Sequence, residues 1–210
     1  TCALPILTRN DAGYYSAGGI AVVPIIGSLV QRSMAMDSSS GMLSYAKIGA
    51  MMSAAMSDPK VNEIIQEYDT PGGSSAGAFD IADILRQYRG QGKKITAFAN
   101  EFAASGGYLL ASAADEIVVN RTGAVGSIGV VSAHFNRSKL MEKRGIAVTH
   151  IYAGDRKVDG SPYAPLSDTA RKTWQANVDS LYNMFVETVA SNRGLSTDAV
   201  RATQAGIFHG

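Results

Sequence analysis

Apolar and polar positions follow two periods along this chain, and the exchange between them predicts the elements. A continuous apolar run at 20–26, closed by Gly27, reads as a buried strand. Apolar residues at helical spacing over 45–57 predict a helix, which Asp58-Pro59 stops. Residues 61–68 read as a strand and Asp69-Thr70-Pro71-Gly72-Gly73 as a turn. A helix follows over 77–89, with Ile81, Ile84, Leu85 and Tyr88 on one face. Residues 95–99 form the next expected strand, and a helix opens near Ser105. Strands are expected at 116–120 and 128–133 around a Gly-rich turn, a helix at 138–144 and a strand at 147–152. A polar loop covers 153–166. Ser167 suits the N-cap of a long helix to Asn192, striped by Trp174, Val178, Leu181, Phe185 and Val189, and Ser196 suits the cap of a last one. Residues 1–18 read as a lead-in, and 31–41 as a polar, Ser-rich loop.

Strands alternating with helices make the class α/β. Several strands follow one another without a full crossover helix, which argues against a plain doubly wound sheet. A single domain over 19–210 is expected. With 46% of 210 residues apolar, the chain can bury a sizeable core. A net charge of +1 with 18% charged residues gives no electrostatic case for nucleic acid or an anionic membrane. The single cysteine, Cys2, excludes an internal disulfide framework. No apolar run approaches the roughly 20 residues of a spanning helix, and no leader pattern opens the chain. A soluble protein is expected, and the initial Thr fits a piece of a longer product.

Chemistry concentrates in two glycine-rich turns. Ala103-Ala104-Ser105-Gly106-Gly107-Tyr108 joins a strand to a helix. A serine there meets free backbone N–H groups at the helix start, while the glycines allow a carbonyl to approach the backbone. Those are the needs of an acyl-transfer nucleophile; a plain helix cap would show the same residues. The Asp69–Gly73 turn could aim further N–H groups at the same oxyanion. Of the histidines, His134 and His150 fall in or beside expected strands, where packing is the commoner role, and His209 is penultimate. Gly126-Ser127-Ile128-Gly129 lacks the G-x-S-x-G spacing. Lys157, in the loop Gly154-Asp155-Arg156-Lys157-Val158-Asp159-Gly160-Ser161-Pro162-Tyr163, is the better base candidate. A lysine serves as a base only when neutral, a form that apolar burial favours. No metal-ligand spacing, phosphate loop or dinucleotide fingerprint is present, so neither a metal nor a cofactor is expected. Six of the eight methionines lie between Met34 and Met56, suiting an adaptable peptide surface or a core helix.

Taken in order, Gly19-Ile20-Ala21-Val22 with Gly27, Asp69-Thr70-Pro71-Gly72-Gly73, Ser105-Gly106-Gly107-Tyr108 through Ala114, Gly126-Ser127-Ile128-Gly129-Val130 and Lys157-Val158-Asp159-Gly160-Ser161-Pro162-Tyr163 resemble the signal peptide peptidase A family of serine proteases. The last motif resembles its phage prohead protease branch. The resemblance implies a Clp protease/crotonase-like spiral of strand–strand–helix units. It implies Ser105 as nucleophile, Lys157 as general base, and an oxyanion hole from the backbone of Gly72, Gly73 and Gly106. It further implies a homo-oligomeric ring, a scaffold or capsid protein as substrate, and action in the phage prohead or host cytoplasm. The family pattern continues beyond Gly210, so the domain reads as shortened at its C-terminus. Two contrasting readings are a bacterial peptidase that degrades signal peptides and a non-catalytic assembly scaffold of the same fold.

Overall fold

Parallel strand pairing builds the centre of the molecule. The computed structural model describes residues 7–32 and 41–210. Cys2, Met34, Met36 and most of the Ser-rich loop expected at 31–41 lie outside the described residues.

Strand β3 (Ile20–Ile26) runs parallel to β6 (Glu63–Thr70), and β6 parallel to β7 (Lys94–Ala104). The stretch read as a lead-in adds β1 (Thr8–Arg9) and β2 (Tyr15–Ala17), antiparallel, to the β3 edge. Beyond β7 the sheet divides. The first half of β7 pairs with β8 (Glu116–Val119), and its end pairs with β9 (Ala124–Gly126). Strand β10 (Ile207–His209) closes the far edge antiparallel to β9. A separate parallel pair, β4 (Ser28–Val30) and β5 (Met42–Ser44), lies off this sheet, with Leu29 bridging to Gly73.

Burial follows the pleat. Ala21, Val23 and Ile25 of β3, Ile64 and Tyr68 of β6, and Ile95, Ala97 and Ala99 of β7 are buried at alternate positions. Helix α1 (Tyr45–Ser57) starts at Ser44, whose side chain accepts from Lys47 N–H, and ends at Asp58, whose N–H returns to Ala54 O. It buries Tyr45, Ile48, Met51, Met52 and Ala55, so Met51 and Met52 serve the core, while Met42 is 40% exposed. Helix α2 (Ala78–Gln87) buries Ala78, Ile81, Ala82 and Leu85. Ile84, expected on that face, is 43% exposed, because the 78/81/82/85 spacing turns it outward. Helix α3 (Gly106–Ser112) follows β7 directly and packs on α2 and β7. Ser112, fully buried, accepts from the buried Asn192 amide at 3.0 Å, fixing α3 against the end of helix α5 (Asp168–Arg193). Ser167 caps α5 through Ala170 N–H, and Ser196 caps the short α6 (Thr197–Ala202) through Ala199 N–H.

The chain divides into two compact units. One holds residues 1–129 and 184–210, the other 130–183. The second contains α4 (Ser138–Lys143) and the first part of α5. The strands expected at 128–133 and 147–152 do not form. Val131 is 89% and Ile151 97% exposed, and β-branched side chains without a partner strand do not build a ladder. Among the described residues no helix is long and apolar enough to cross a membrane.

Candidate active site

The strand-to-helix junction at Ser105 is a strained elbow. Ser105 has φ 50° and ψ −123°, a conformation that suits glycine and costs other residues about 1–3 kcal/mol. Its surroundings hold it there. Ser105 N–H donates to Gly126 O at 2.9 Å, and Ser105 O accepts from Leu109 N–H at 3.0 Å, the first bond of α3. The side chain makes no cap hydrogen bond to the helix. The plain-cap reading of this serine is therefore not what the structure shows, and its half-buried hydroxyl is left uncommitted to α3. Neighbouring Ser127 also has positive φ, 55°, and its N–H donates to Gly206 O at 2.8 Å.

The Asp69–Gly73 turn lies directly against this elbow. A Cβ on Gly72 would stand 2.7–2.8 Å from Gly106 N, Ala104 O and Ser105 Cβ, too close for any side chain, and its φ of 94° also demands glycine. A Cβ on Gly73 would collide with the Leu29 backbone. The fold thus brings Gly72, Gly73, Ser105 and Gly106 into one place.

Their N–H groups are not equivalent. Gly72 N–H donates to Thr70 Oγ1 at 3.1 Å, so of the three expected oxyanion donors it is already engaged. Its contribution is the backbone geometry that lets the turns touch. The peptide between Gly72 and Gly73 points its carbonyl at Leu29 N–H, 2.8 Å away, and its trans geometry sends Gly73 N–H the opposite way. The peptide between Ser105 and Gly106 likewise points its carbonyl into α3. Among the described residues neither Gly73 N–H nor Gly106 N–H has a hydrogen-bond partner. Polarised at their carbonyl ends, both are good donors for a developing oxyanion.

Lys157 belongs to the other unit. It is exposed, in a turn where its N–H donates to Gly154 O at 2.9 Å. The loop is held chiefly through Ser161. His150 Nε2 lies 2.8 Å from Ser161 Oγ, His134 Nε2 lies 2.9 Å from Ser161 O, and Arg137 N–H donates to Pro162 O. Arg156 pairs with Asp159 and reaches Thr173 Oγ1 on α5, while Gly160 is pressed against the Trp174 ring. Neither histidine sits in a strand. Their shared attachment to the lysine loop was not legible, because His134 and His150 are 27 and 11 residues from Ser161.

Comparison with known proteins settles the family. The profile of peptidase family S49 matches residues 87–210. The chain is 44% identical over 202 residues to capsid assembly protease C of Escherichia phage lambda, covering 96% of this chain and 46% of that protein. The chain belongs to peptidase family S49. The chain is also 41% identical to the head-tail preconnector protein GP5 of Enterobacteria phage P21, over 94% of this chain and 39% of that protein. A putative signal peptide peptidase SppA of Enterococcus faecium is 34% identical over 72% of this chain and 44% of its own length. The chain spans less than half the length of these relatives. Among solved structures, a membrane-bound stomatin-specific protease matches with a TM-score of 0.52 over 90% of this chain and 71% of that one, at 14% identity. That likeness carries the fold alone, and the fold is the expected Clp-protease type: a mostly parallel central sheet with helices.

Proposed function

We propose that the chain carries the catalytic machinery of a serine endopeptidase of phage capsid maturation, with Ser105 as nucleophile and Lys157 as general base. The observation that carries this reading is the strained Ser105 elbow, its hydroxyl free of the helix and beside it two N–H groups, Gly73 and Gly106, without a partner among the described residues. The Lys157 amine takes the Ser105 proton as Oγ bonds to the scissile carbonyl carbon. The carbonyl oxygen, now negative, accepts from Gly73 and Gly106 N–H. Collapse expels the amine, which leaves with the proton from Lys157; water then repeats the sequence on the acyl-enzyme and restores the serine.

The base assignment rests on the resemblance of the Lys157 motif, and the substrate assignment on the name of the lambda relative. Homo-oligomer formation belongs to the same proposal. Val131, Phe135 and Ile151 are 89%, 70% and 97% exposed, apolar surface of the kind that association covers. The test is incubation of the wild-type protein and of Ser105→Ala with a phage scaffold protein and with a signal peptide, products read by mass spectrometry. Cleavage of the scaffold protein by wild type only is the expected result. Cleavage of the signal peptide alone would favour the bacterial signal-peptide role, and equal cleavage by Ser105→Ala would refute the nucleophile.

A further inference from the structure

The two turns of the proposed oxyanion site are held by side chains from outside the 87–210 region that the family profile matches. Tyr45, the first residue of α1, is 3% exposed, and its hydroxyl donates to Ser74 O at 2.6 Å. The same hydroxyl stands 3.5 Å from where a Cβ on Gly106 would be. It therefore fixes the exit of one turn while lying against the other. Thr70, the last residue of β6, is fully buried. Its Oγ1 donates to Gly27 O at 2.6 Å and accepts from Gly72 N–H at 3.1 Å, while its methyl sits where Gly107 of α3 has no Cβ. Between them, Leu29 binds Gly72 O through its N–H and takes Ser74 N–H on its own carbonyl, 2.8 and 2.9 Å.

We infer that Tyr45 and Thr70 are positioning residues of the oxyanion site: their hydroxyls set the orientation of the Gly72–Gly73 peptide relative to the Ser105 elbow. This rests on Ser105 being the nucleophile. The peptide's direction needs such control. Its carbonyl end has one partner, Leu29 N–H, and a single hydrogen bond leaves the plane free to tilt about it. Thr70 anchors the turn two residues before that peptide, and Tyr45 anchors it at the residue after it. Gly72 N–H is drawn onto Thr70, so the turn presents one donor, from Gly73, rather than two that diverge. Burial raises the Tyr45 hydroxyl to about 12, so it stays protonated and a donor wherever the enzyme works. Neither residue touches the reacting atoms; each acts through the peptide it holds. A misplacement of an oxyanion donor by a fraction of an ångström weakens it where charge develops, with little effect on ground-state substrate binding.

The test is the rate at which a fluorophosphonate labels Ser105, since its phosphoryl oxygen takes the oxyanion position, alongside kcat and KM on a cleaved peptide. Tyr45→Phe and Thr70→Val are expected to slow labelling by about tenfold and to lower kcat with KM little changed. Thr70→Ser, which keeps the hydroxyl, is expected to restore the rate to within about twofold of wild type. Ser112→Ala serves as control: it removes a buried hydrogen bond on the same helix and lowers the melting temperature without slowing labelling. Wild-type rates in Tyr45→Phe would overturn the inference while leaving the nucleophile assignment intact, and this variant decides alone if Thr70→Val fails to fold. Labelling that persists in Ser105→Ala, or a wild type that is never labelled, would overturn the nucleophile and this inference together.

Discussion

The Ser105 elbow and the Lys157 loop are built by different means. The elbow is a backbone construction. It sits where β7, β9 and α3 meet, is fixed by amide hydrogen bonds to Gly126 and Leu109, and is packed so tightly against the neighbouring turn that Gly72 admits no side chain. The lysine loop is a side-chain construction, exposed along most of its length and tied through Ser161, His134, His150 and the Arg156–Asp159 pair. Amide ladders in a sheet core resist local opening, whereas a loop with few buried apolar contacts opens at small cost. In the proposed mechanism the oxyanion donors are therefore preorganised within the sheet unit, while the placement of the proposed base depends on how a polar loop is held.

Substitutions can break this comparison, beginning with the largest effect. Ser105→Ala is expected to lower peptide hydrolysis by at least on the order of a thousandfold with the melting temperature little changed, since the Ser105 side chain makes no cap hydrogen bond to the helix. Steady-state hydrolysis and thermal melting check this together. Gly73→Ala comes next. Its Cβ cannot coexist with the Leu29 backbone, so the donor peptide must shift. A loss of roughly a hundredfold in kcat and about 1–3 kcal/mol in stability is expected, measured by kinetics and urea titration.

Ser161→Ala probes the other region. It deprives His150 of its partner and Tyr163 N–H of its acceptor. A fall of about tenfold in kcat is expected with global stability changed by less than about 1 kcal/mol, because the bonds lost are exposed. A pH series sharpens the sheet side. Burial raises Tyr45 from 10.0 to about 12 in the folded protein, so its contribution to stability is complete below pH 10 and is lost as pH rises toward 12. The melting temperature should fall over that window, less steeply in Tyr45→Phe; Tyr68, also raised by burial, contributes in the same direction in both. The smallest effect on activity belongs to Ser112→Ala. Losing the partner of the buried Asn192 amide is expected to cost about 1–3 kcal/mol in denaturant titration and nothing in turnover.

The sequence was most readable where local pattern and tertiary packing agree. Helix α1 matches its periodicity, and the caps at Ser167 and Ser196 match their residue types. Pattern misled where partners decide. The apolar stretches at 128–133 and 147–152 have strand composition but no strand beside them. Strand β7 extends to Ala104, five residues beyond the apolar run, because β9 pairs with its end. Nothing in the residue type announces positive φ at Ser105; serine carries no such preference, and the Gly126 carbonyl that holds its N–H comes from a strand paired only in the folded sheet. Nor could the loss of Gly72 as a free donor be read, since Thr70 Oγ1 faces it only once β6 has ended in that turn. Lys157 was readable as a better base candidate than the histidines, but local pattern around it says only loop, and its assignment as base rests on the likeness of its motif.

The proposed mechanism pairs the Ser105 hydroxyl with the Lys157 amine. The most direct measurement is fluorophosphonate labelling of the wild-type protein, Ser105→Ala and Lys157→Ala across pH 6 to 10 and across protein concentration, with the modified residue located by peptide mapping. Modification at Ser105 is expected in the wild type, none in Ser105→Ala, and in Lys157→Ala a rate at least on the order of a hundredfold lower at every pH. Labelling of Lys157→Ala at the wild-type rate, with the same pH profile, would contradict the pairing.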